Sequence, residues 1–555
     1  MMTPGSRVTG EHLRKYDPRK SAREQQEQLS VGARAESLPR PTFLRRIIGL
    51  FGGLVGAGLM FLVMPGDMDV WPRLTAATAV LMAVWWMTEA IPIPATALVP
   101  LVVFPMLVPA AEAGDEPVTV DVIGANYGHN IIFLFMGGFM LALAMQRWNL
   151  HRRIALLTLR AMGSKPVNLI GGFMIATAFL SMWVSNTATA VMMLPIGISV
   201  LMLVQRIAKG EDPGSISEDD ADPAEKAQAV KSNFGTALML GIAYAASVGS
   251  VSTIIGTPPN ALLVGHMSTN HDVTIGFGQW MLVGVPIAIV MLVLVWVVLT
   301  RLLFRPEIKT IPGGSDLIRG ELHKLGPMSS GELRVLLIFI LAAVSWVSIP
   351  LGTDLLIGAG VLEEDAEPFI SDAGIAMVVG LLLFLLPGGA NRGVRLLDWE
   401  YAAKLPWGVL LLFGGGLALS SQFSASGLSS WMGEQMEGLS TVPVWVLVLL
   451  AAAGVLILTE MTSNTATAAT FLPVASGVAM GTGVDPLVLA APVALAATCA
   501  FMLPVATPPN AIAYGSGYVT IGQMVKGGIL LNIAAVVVIT LVSMTLLLWV
   551  FGLSL

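Results

Sequence analysis

The sequence predicts an all-α polytopic membrane protein with about eleven transmembrane helices and two re-entrant helical hairpins, arranged as an inverted repeat. Three observations support this fold class. The 555 residues are 55% hydrophobic and only 12% charged, which is too apolar for a water-soluble domain. Apolar stretches near the roughly 20 residues that a bilayer requires recur along the chain. A polar signature at 185–190, SNTATA, returns letter for letter at 463–468.

The candidate transmembrane helices are the apolar stretches that are long enough to span a bilayer. They lie at about 46–64, 71–90, 92–110, 130–149, 234–265, 279–304, 333–350, 373–388, 406–424, 486–514 and 528–551. The polar tail has no apolar core in its first 30 residues, so we expect no cleavable signal peptide and a first helix that remains as an anchor. The only cysteine, Cys499, excludes an intrachain disulfide and a cysteine-rich metal site.

The positions of Lys and Arg give the predicted orientation, because these residues accumulate on the cytoplasmic side of membrane proteins. They fall in the tail, in 147–165, 206–231, 301–334 and 392–404, and at Lys526, with only Arg73 outside these clusters. About eleven crossings that start from a cytoplasmic tail place every cluster inside. We therefore expect an integral protein of the cell (inner or plasma) membrane with a cytoplasmic N-terminus and an exterior C-terminus.

Two apolar stretches, at 169–204 and 443–478, are too long and too interrupted to be ordinary spans, and both contain the SNTATA signature. The first is flanked on both sides by basic segments and the second by segments without Lys or Arg, so each must enter and leave on one face. We interpret them as re-entrant hairpins that open to the cytoplasm and to the exterior, respectively. Irregular backbone at membrane depth must be buried in protein or line a wet cavity, so the two tips are expected to meet near the midplane.

The offset of 278 residues that relates the two signatures also relates Phe135 to Phe413, each of which precedes a glycine-rich run. Because the hairpins open to opposite faces, the repeat is inverted, which is typical of alternating-access transporters. The glycine runs are more typical of close helix packing than of binding. The predicted parts are a cytoplasmic tail at 1–43, a first transmembrane helix at 44–66, a first repeat at 67–304, a cytoplasmic linker at 305–332 and a second repeat at 333–555.

A second signature, TPPN, follows each hairpin, at 257–260 and at 507–510. Two adjacent prolines prevent a helix from continuing normally, so the stretches 234–265 and 486–514 are predicted to be broken helices. Each break frees carbonyl groups, which suit a small cation, and exposes a helix N-terminus, which suits an anion. Neither the hairpins nor the broken helices contain Lys or Arg. A bound cation would offset part of the electrostatic cost of placing a dianion among neutral ligands. This predicts that binding of the anion is coupled to binding of the cation.

Other interpretations compete with a binding site. A single Ser-Asn-Thr in an apolar helix usually bonds neighbouring helices, but two copies at hairpin tips favour binding. Glu460 is either a proton-coupling group or a paired carboxylate at the hairpin base, and Glu89 is more typical of an interfacial residue.

An intramembrane hydrolase with Ser185 or Ser463 as nucleophile would need a nearby base, and the hairpins contain neither His nor Lys. The paired hairpins argue against a passive channel. We therefore expect a carrier and not an enzyme.

The paired SNTATA and TPPN segments, in this order and spacing, resemble the divalent anion:sodium symporter family, which includes bacterial and animal di- and tricarboxylate carriers. The resemblance covers about residues 44–553 and extends to Thr88-Glu89-Ala90 and to Leu405-Pro406-Trp407-Gly408. It implies a homodimer in which each protomer has a fixed scaffold part and a transport part that moves as an elevator.

By motif position, the resemblance implies two sodium sites and a substrate site. The sodium ligands would be Ser181, Ser185, Asn186 and the Gly256 backbone in the first site, and Thr459, Thr462, Asn464 and the Ala506 backbone in the second. Ser181 and Thr459 are related by the same 278-residue offset, which supports this pairing. The substrate would meet Asn186, Thr187, Ser463, Asn464, Thr465, Thr257, Pro258, Thr507 and Pro508. Where family members place a small apolar residue, this chain has Thr462, and a backbone contact would survive that change.

The predicted function is sodium-coupled symport of a C4-dicarboxylate such as succinate, fumarate or malate, with two or more co-transported Na+ ions and elevator-type alternating access. A dicarboxylate exchanger, or a carrier of citrate or sulfate, remains an alternative, because the side chains that size the pocket lie outside the motifs. The expected partners are the dicarboxylate, sodium ions, the lipid bilayer and a second copy of the chain, and no nucleic acid is expected.

Overall fold

A computed structural model of the chain describes residues 38–112, 117–163, 165–209, 232–308, 314–363, 366–389 and 391–554. Most of the predicted tail at 1–43 and part of the predicted linker at 305–332 lie outside these residues. In the described part the regular elements are helices, with one isolated antiparallel bridge between Pro387 and Arg395. Seven of these helices are long and apolar enough to cross a membrane, and five shorter apolar helices accompany them. The predicted all-α polytopic membrane fold is confirmed.

The chain begins with two packed helices followed by three short ones. They are α1 (Arg40–Val63), α2 (Val70–Thr88), α3 (Ile93–Thr96), α4 (Pro100–Leu107) and α5 (Val120–Ala125). The stretch at 92–110, predicted as one span, is divided into α3 and α4, because it contains five prolines and the residue before a proline avoids helical backbone. α1 lies close to α2 because a side chain at Gly49 or Gly53 would overlap Thr88 or Trp85.

The first half of the repeat contains seven helices. They are α6 (Asn130–Arg147), α7 (Leu150–Met162), α8 (Pro166–Ser181), α9 (Asn186–Lys209), α10 (Asn233–Ser250), α11 (Pro258–His271) and α12 (Phe277–Val297), which continues as a π-helical turn, Val298–Leu303. α8 and α9 occupy the stretch predicted as the first hairpin, and they meet at the first tip, which we define as residues 182–187. α10 and α11 are separated by the first linker, residues 251–257, which contains a single 3-10 turn, Ile254–Gly256.

Four helices connect the two halves. They are α13 (Gly314–Lys324), α14 (Ser330–Gly358), α15 (Asp372–Leu385) and α16 (Trp399–Ala402). α14 is longer than the span predicted at 333–350, because it continues through Pro350 to Gly358. The residues after Pro350 include exposed Leu351, Leu355 and Leu356. In lipid such a segment must satisfy its backbone internally, which favours continuing the helix.

The second half of the repeat follows the order of the first. Its helices are α17 (Trp407–Ala425), α18 (Leu428–Met436), α19 (Val444–Thr459), α20 (Asn464–Gly481), α21 (Pro486–Thr498), α22 (Pro508–Gly515), α23 (Ile521–Val542) and α24 (Leu548–Phe551). α19 and α20 meet at the second tip, residues 460–465. α21 and α22 are separated by the second linker, residues 499–507. α23 begins earlier than the span predicted at 528–551, because Thr520 and Gln523 form a capping box at its start.

The broken helices lie in the core of the protein. Every residue from 234 to 250 in α10 and from 487 to 498 in α21 is buried. Each linker also packs against a glycine of the next long helix: Gly284 of α12 lies against Val251, and Gly528 of α23 lies against Phe501. A Cβ at either glycine would overlap the linker backbone. The interior thus holds irregular backbone at a fixed position, which is tolerated at membrane depth only inside protein.

Candidate functional site

A cavity of about 830 Å³ lies where the two tips and the two linkers meet. Residues of α2, α3, α6 and α17 complete its walls. All nine predicted substrate-binding residues line it, namely Asn186, Thr187, Thr257, Pro258, Ser463, Asn464, Thr465, Thr507 and Pro508. Equivalent residues of the two halves, 250 or 278 positions apart in the sequence, therefore face one space.

Four helices begin at this cavity. α9 begins at Asn186, α11 at Pro258, α20 at Asn464 and α22 at Pro508. A helix N-terminus carries the positive end of the helix dipole and backbone N–H groups without partners in the helix. α11 and α22 each begin with two prolines, which have no N–H, so the free N–H groups come chiefly from α9 and α20. Among the described residues, Arg45 is the only basic residue in the lining. Positive potential at the tips therefore comes from backbone groups, an arrangement that suits an anion.

Hydroxyl groups cap two of these four helices. Ser185 Oγ accepts a hydrogen bond from the Ala188 N–H at 3.4 Å, and Thr507 Oγ1 accepts one from the Asn510 N–H at 3.3 Å. The side chain of Ser463 makes no capping bond to α20. The Ser463 hydroxyl therefore remains available to a molecule in the cavity.

The asparagines of the two TPPN segments hold the linkers. Asn260 Nδ2 donates hydrogen bonds to two carbonyl oxygens of the first linker at 2.9 and 3.1 Å. Asn510 Nδ2 donates to two carbonyl oxygens of the second linker at 3.1 and 3.2 Å. Both side chains are fully buried and neither lines the cavity. This bracing role was not predicted from the sequence, although the repetition of the motif after each hairpin was a signal for it.

The first set of predicted sodium ligands lies around the first tip. Three of them line the cavity, namely Ser185, Asn186 and Gly256. Ser181 is fully buried behind them, and its Oγ donates to the Ala246 carbonyl at 2.5 Å. The side-chain oxygen of Asn186 accepts from the Thr187 N–H at 2.8 Å. In this conformation the Ser181 hydroxyl and the Asn186 side-chain oxygen are therefore each bonded to a backbone group of another residue, and not to each other.

The second set converges on a compact group of oxygen atoms. Thr459 Oγ1 lies 2.9 Å from the side-chain oxygen of Asn464 and 3.0 Å from the Ala497 carbonyl oxygen. The same Asn464 atom lies 3.0 Å from the Ala506 carbonyl oxygen and 3.1 Å from that of Ala497. Uncharged oxygen atoms at this spacing are the ligand type that hard cations prefer. The Thr462 hydroxyl does not join this group, since it donates a hydrogen bond to the Leu458 carbonyl at 2.8 Å.

The carbonyl of Ala497 was not anticipated from the sequence, because any residue type supplies a carbonyl and only the fold places it. The Asn464 amide also fits the group in two orientations. With its oxygen toward the two carbonyls, a cation is needed between the three oxygen atoms. With its nitrogen toward them, the amide donates to both carbonyls itself. The site is therefore compatible with an occupied and an empty state.

Glu460 is the first residue of the second tip and is not paired with a basic residue in the described part of the chain. It accepts hydrogen bonds from three consecutive backbone N–H groups of the second linker and from Asn532. Of the two interpretations of Glu460 in the sequence analysis, the paired carboxylate needs revision, because the partners are amides and not a cation.

An ion pair lies at the exposed edge of the cavity. Arg45 and Glu89 contact each other at 2.8 Å, with about half of each side chain exposed, and both line the cavity. Glu89 ends α2 in a left-handed backbone conformation with φ of 50°. The sequence analysis assigned Glu89 to the membrane interface but did not identify its partner, which lies 44 positions earlier at the start of α1.

The cavity offers little support for a serine nucleophile. Its lining contains no His or Lys among the described residues, so neither Ser185 nor Ser463 has such a base beside it. The buried His266 bonds Ser420 at 2.5 Å and Ser476 at 2.6 Å, outside the cavity. Within the described ranges, no group of three His, Cys, Asp or Glu side chains is placed to hold a metal ion.

Comparison with known proteins gives consistent matches over most of the chain. Residues 46–553 match the family model described as the sodium:sulfate symporter transmembrane region. The sodium-dependent dicarboxylate transporter SdcS of Staphylococcus saprophyticus is 41% identical over 502 residues, covering 89% of this chain and 91% of that protein. The protein of the same name from Staphylococcus aureus is 40% identical over 496 residues, covering 88% and 90%. The solved structure of the Alcanivorax borkumensis YdaH transporter has a TM-score of 0.52 at 15% identity, covering 84% of this chain and 98% of that chain, which bears on the fold alone.

Proposed function

The chain belongs to the sodium:sulfate symporter family, the divalent anion:sodium symporters, and on that premise we propose that it imports a C4-dicarboxylate such as succinate, fumarate or malate together with two or more sodium ions. One observation carries the proposal: a single cavity joins both tips, four helix N-termini and the oxygen group around Asn464. The names of the relatives at 40 and 41% identity add the substrate class and the cation.

We propose that the substrate is held at both ends by neutral groups. One carboxylate would meet Asn186 and Thr187 at the start of α9. The other would meet Ser463 and Thr465 at the start of α20. Both helix N-termini offer backbone N–H groups and a positive dipole end, which is how proteins bind anions without basic side chains.

Coupling between sodium and dicarboxylate follows from Asn464, which belongs to both sites. Its side chain takes part in the oxygen group, and its backbone begins α20 at the cavity. A sodium ion in the oxygen group would hold the second tip in place and would offset the charge of the dianion. The anion would then bind tightly only when the cation is present, and each ligand would favour the other reciprocally.

The motion that exposes this site to each side belongs to the proposal as well. The hairpins and the broken helices pack on one another, and we assign them to a transport part that moves as an elevator against the scaffold helices α1, α2, α6, α14, α15 and α17 of a homodimer. The basic clusters favour a cytoplasmic N-terminus. Since Arg45 at the start of α1 lines the cavity edge, the conformation described here is assigned as inward-facing.

Two alternatives remain within transport. The family description includes sulfate, whereas the relatives at 40 and 41% identity are named for dicarboxylates, which favours the longer substrate. Exchange of one dicarboxylate for another would use the same cavity without net sodium movement.

Uptake into proteoliposomes tests the proposal. Radiolabelled succinate is supplied with an inward sodium gradient or with an equal choline gradient at constant pH, and unlabelled fumarate, malate, citrate and sulfate are added as competitors. We expect saturable accumulation above equilibrium with sodium only, and competition by the C4-dicarboxylates. Uptake that ignores sodium but needs dicarboxylate inside the vesicle would identify an exchanger. Protein-free vesicles and permeabilised vesicles are the controls.

A further inference from the structure

Glu460 is the first residue of the second tip and is only 5% exposed. Its Oε1 accepts hydrogen bonds from the backbone N–H groups of Phe501 and Met502, both at 2.8 Å, and from Asn532 Nδ2 at 2.7 Å. Its Oε2 accepts from the Leu503 N–H at 2.9 Å. All four donors are neutral N–H groups, three of them directed at Oε1 and one at Oε2.

The Glu460 side chain holds the middle of the backbone segment that forms the second cation site. The site takes one carbonyl from Ala506, within the second linker, and one from Ala497, just before it. Its hydroxyl comes from Thr459, the residue preceding Glu460. Glu460 therefore fixes the backbone that supplies the carbonyl ligands. When ionised, it also places a negative charge on the residue that follows Thr459, and charges interact strongly in a partly apolar interior.

The first half of the repeat lacks this charge. The 278-residue offset relates Glu460 to Met182. In the first half, the hydroxyl of Thr253 in the first linker donates a hydrogen bond to the Met182 carbonyl. Neutral groups thus join tip and linker on that side. The two candidate cation sites share a motif but differ in their electrostatics.

We propose that Glu460 is a positioning residue that sets the sodium affinity of the second cation site and makes it the tighter of the two, so that it fills first. The inference rests on the proposed sodium-coupled function. One unit charge about 10 Å from a cation, at an effective dielectric constant of about 20, changes the affinity for that cation by roughly tenfold. We therefore expect the half-saturating sodium concentration to be about tenfold lower at the second site than at the first.

The first experiment measures sodium binding without transport. The purified full-length protein is melted over a range of NaCl concentrations without dicarboxylate, with choline chloride keeping the ionic strength constant. The rise in Tm gives the half-saturating sodium concentration, because a ligand of the folded state stabilises it. Asn186→Ala leaves only the second site and should keep the low half-saturating concentration. Asn464→Ala leaves only the first site and should need about tenfold more sodium.

Glu460→Gln then isolates the charge, because glutamine keeps the size of the side chain and an oxygen acceptor. In the Asn186→Ala protein, E460Q should raise the half-saturating sodium concentration about tenfold. In the Asn464→Ala protein, it should leave that concentration unchanged. Glu460→Asp retains the charge and should stay closer to the parent protein than E460Q. A brace that acted only on overall stability would instead lower the Tm at every sodium concentration and leave the half-saturating concentration unchanged. A brace that acted through site geometry without its charge would make Glu460→Asp and E460Q shift that concentration alike.

Equal half-saturating sodium concentrations in Asn186→Ala and Asn464→Ala would overturn the inference, even if E460Q did not fold. An E460Q shift of the same size in both backgrounds would overturn it too. If the unmodified protein showed no sodium-dependent rise in Tm at all, the proposed function itself would be wrong, so the two failures are distinguishable.

Discussion

Asparagine has two different tasks in the paired signatures. At the tips, Asn186 and Asn464 begin helices and line the cavity. After the proline pairs, Asn260 and Asn510 are fully buried and donate to linker carbonyls. The sequence alone selects all four positions, because each motif is duplicated in an apolar chain. It cannot separate a ligand from a brace, because that distinction depends on contacts that are made only in the folded chain.

Removal of either tip asparagine should abolish uptake while leaving the fold intact. Asn186→Ala and Asn464→Ala each remove an amide that faces the cavity and leave the bracing asparagines in place. Sodium-driven succinate uptake in proteoliposomes measures the effect, and gel filtration with thermal melting checks the fold. Normal transport by either variant would remove that residue from the site.

Replacement of a bracing asparagine should instead reduce stability. Asn510→Asp keeps the shape but loses the amide that donates to two linker carbonyls at 3.1 and 3.2 Å. Leaving buried acceptors without donors, and burying a carboxylate beside them, should cost about 2–4 kcal/mol. The Tm of the purified protein measures this loss.

Asn168 provides the matched control, because it is exposed at the start of α8. Asn168→Asp should leave the Tm within about a degree of the parent value, since surface substitutions usually change stability by less than 0.5 kcal/mol. A stable Asn510→Asp protein would show that the second linker keeps its conformation without the brace.

The hairpins and broken helices illustrate which elements a sequence can predict. Charge asymmetry, duplicated motifs and proline pairs are local signals, and they identify the regions now occupied by α8 and α9, by α19 and α20, and by the two linkers. The exact ends of the helices were harder to predict from the sequence. The extension of α14 past Pro350 depends on lipid-facing leucines, while the early start of α23 had a usable signal in the capping pair Thr520 and Gln523. The donors around Glu460 are three backbone N–H groups of the second linker and the side chain of Asn532, all distant in sequence, so no local pattern encodes these contacts.

Close packing of α23 on the second linker should be essential for transport. A methyl group at Gly528 would overlap the backbone of Phe501 and Met502. Gly528→Ala should push α23, which carries Asn532, away from the linker. Overpacking of this kind typically costs about 1–3 kcal/mol of folding stability, so we expect a lower Tm. Displacement of the linker that supplies the Ala506 carbonyl should also reduce sodium-driven uptake.

The control for this prediction lies on the same helix. Gly522 has open space around its Cα, so Gly522→Ala should keep uptake and stability near the parent values. Equal behaviour of Gly522→Ala and Gly528→Ala would show that contact between α23 and the linker is not required.

At the scale of the whole molecule, the two halves of the repeat are not in the same conformation. Around the second tip, Thr459 lies 3.0 Å from the Ala497 carbonyl oxygen, and the Asn464 amide lies within 3.1 Å of the Ala497 and Ala506 carbonyl oxygens. Around the first tip, Ser181 donates to the Ala246 carbonyl and the Asn186 side-chain oxygen accepts from the Thr187 N–H. An inverted repeat can exchange such conformations between its halves, which turns an inward-facing state into an outward-facing one. The proposed inward-facing assignment predicts that the cavity edge at Arg45 is reached from the cytoplasmic side.

Accessibility of single cysteines should reveal that direction. The native Cys499 is only 1% exposed, so a membrane-impermeant maleimide should leave the parent protein unlabelled. Val505 lines the cavity and is 71% exposed, and Phe369 lies between α14 and α15 and is 87% exposed. Because the basic clusters predict a cytoplasmic N-terminus, we expect Val505→Cys to react in inside-out vesicles and Phe369→Cys in right-side-out vesicles.

Sodium and succinate together should slow the labelling of Val505→Cys, because that position lies in the proposed binding cavity, and should leave the labelling of Phe369→Cys unchanged. Reaction of both cysteines from the same side would contradict the orientation derived from the basic clusters. If Val505→Cys reacted only in right-side-out vesicles and Phe369→Cys only in inside-out vesicles, the N-terminus would lie outside. The cavity edge at Arg45 and Glu89 would then be the entrance for substrate from the exterior.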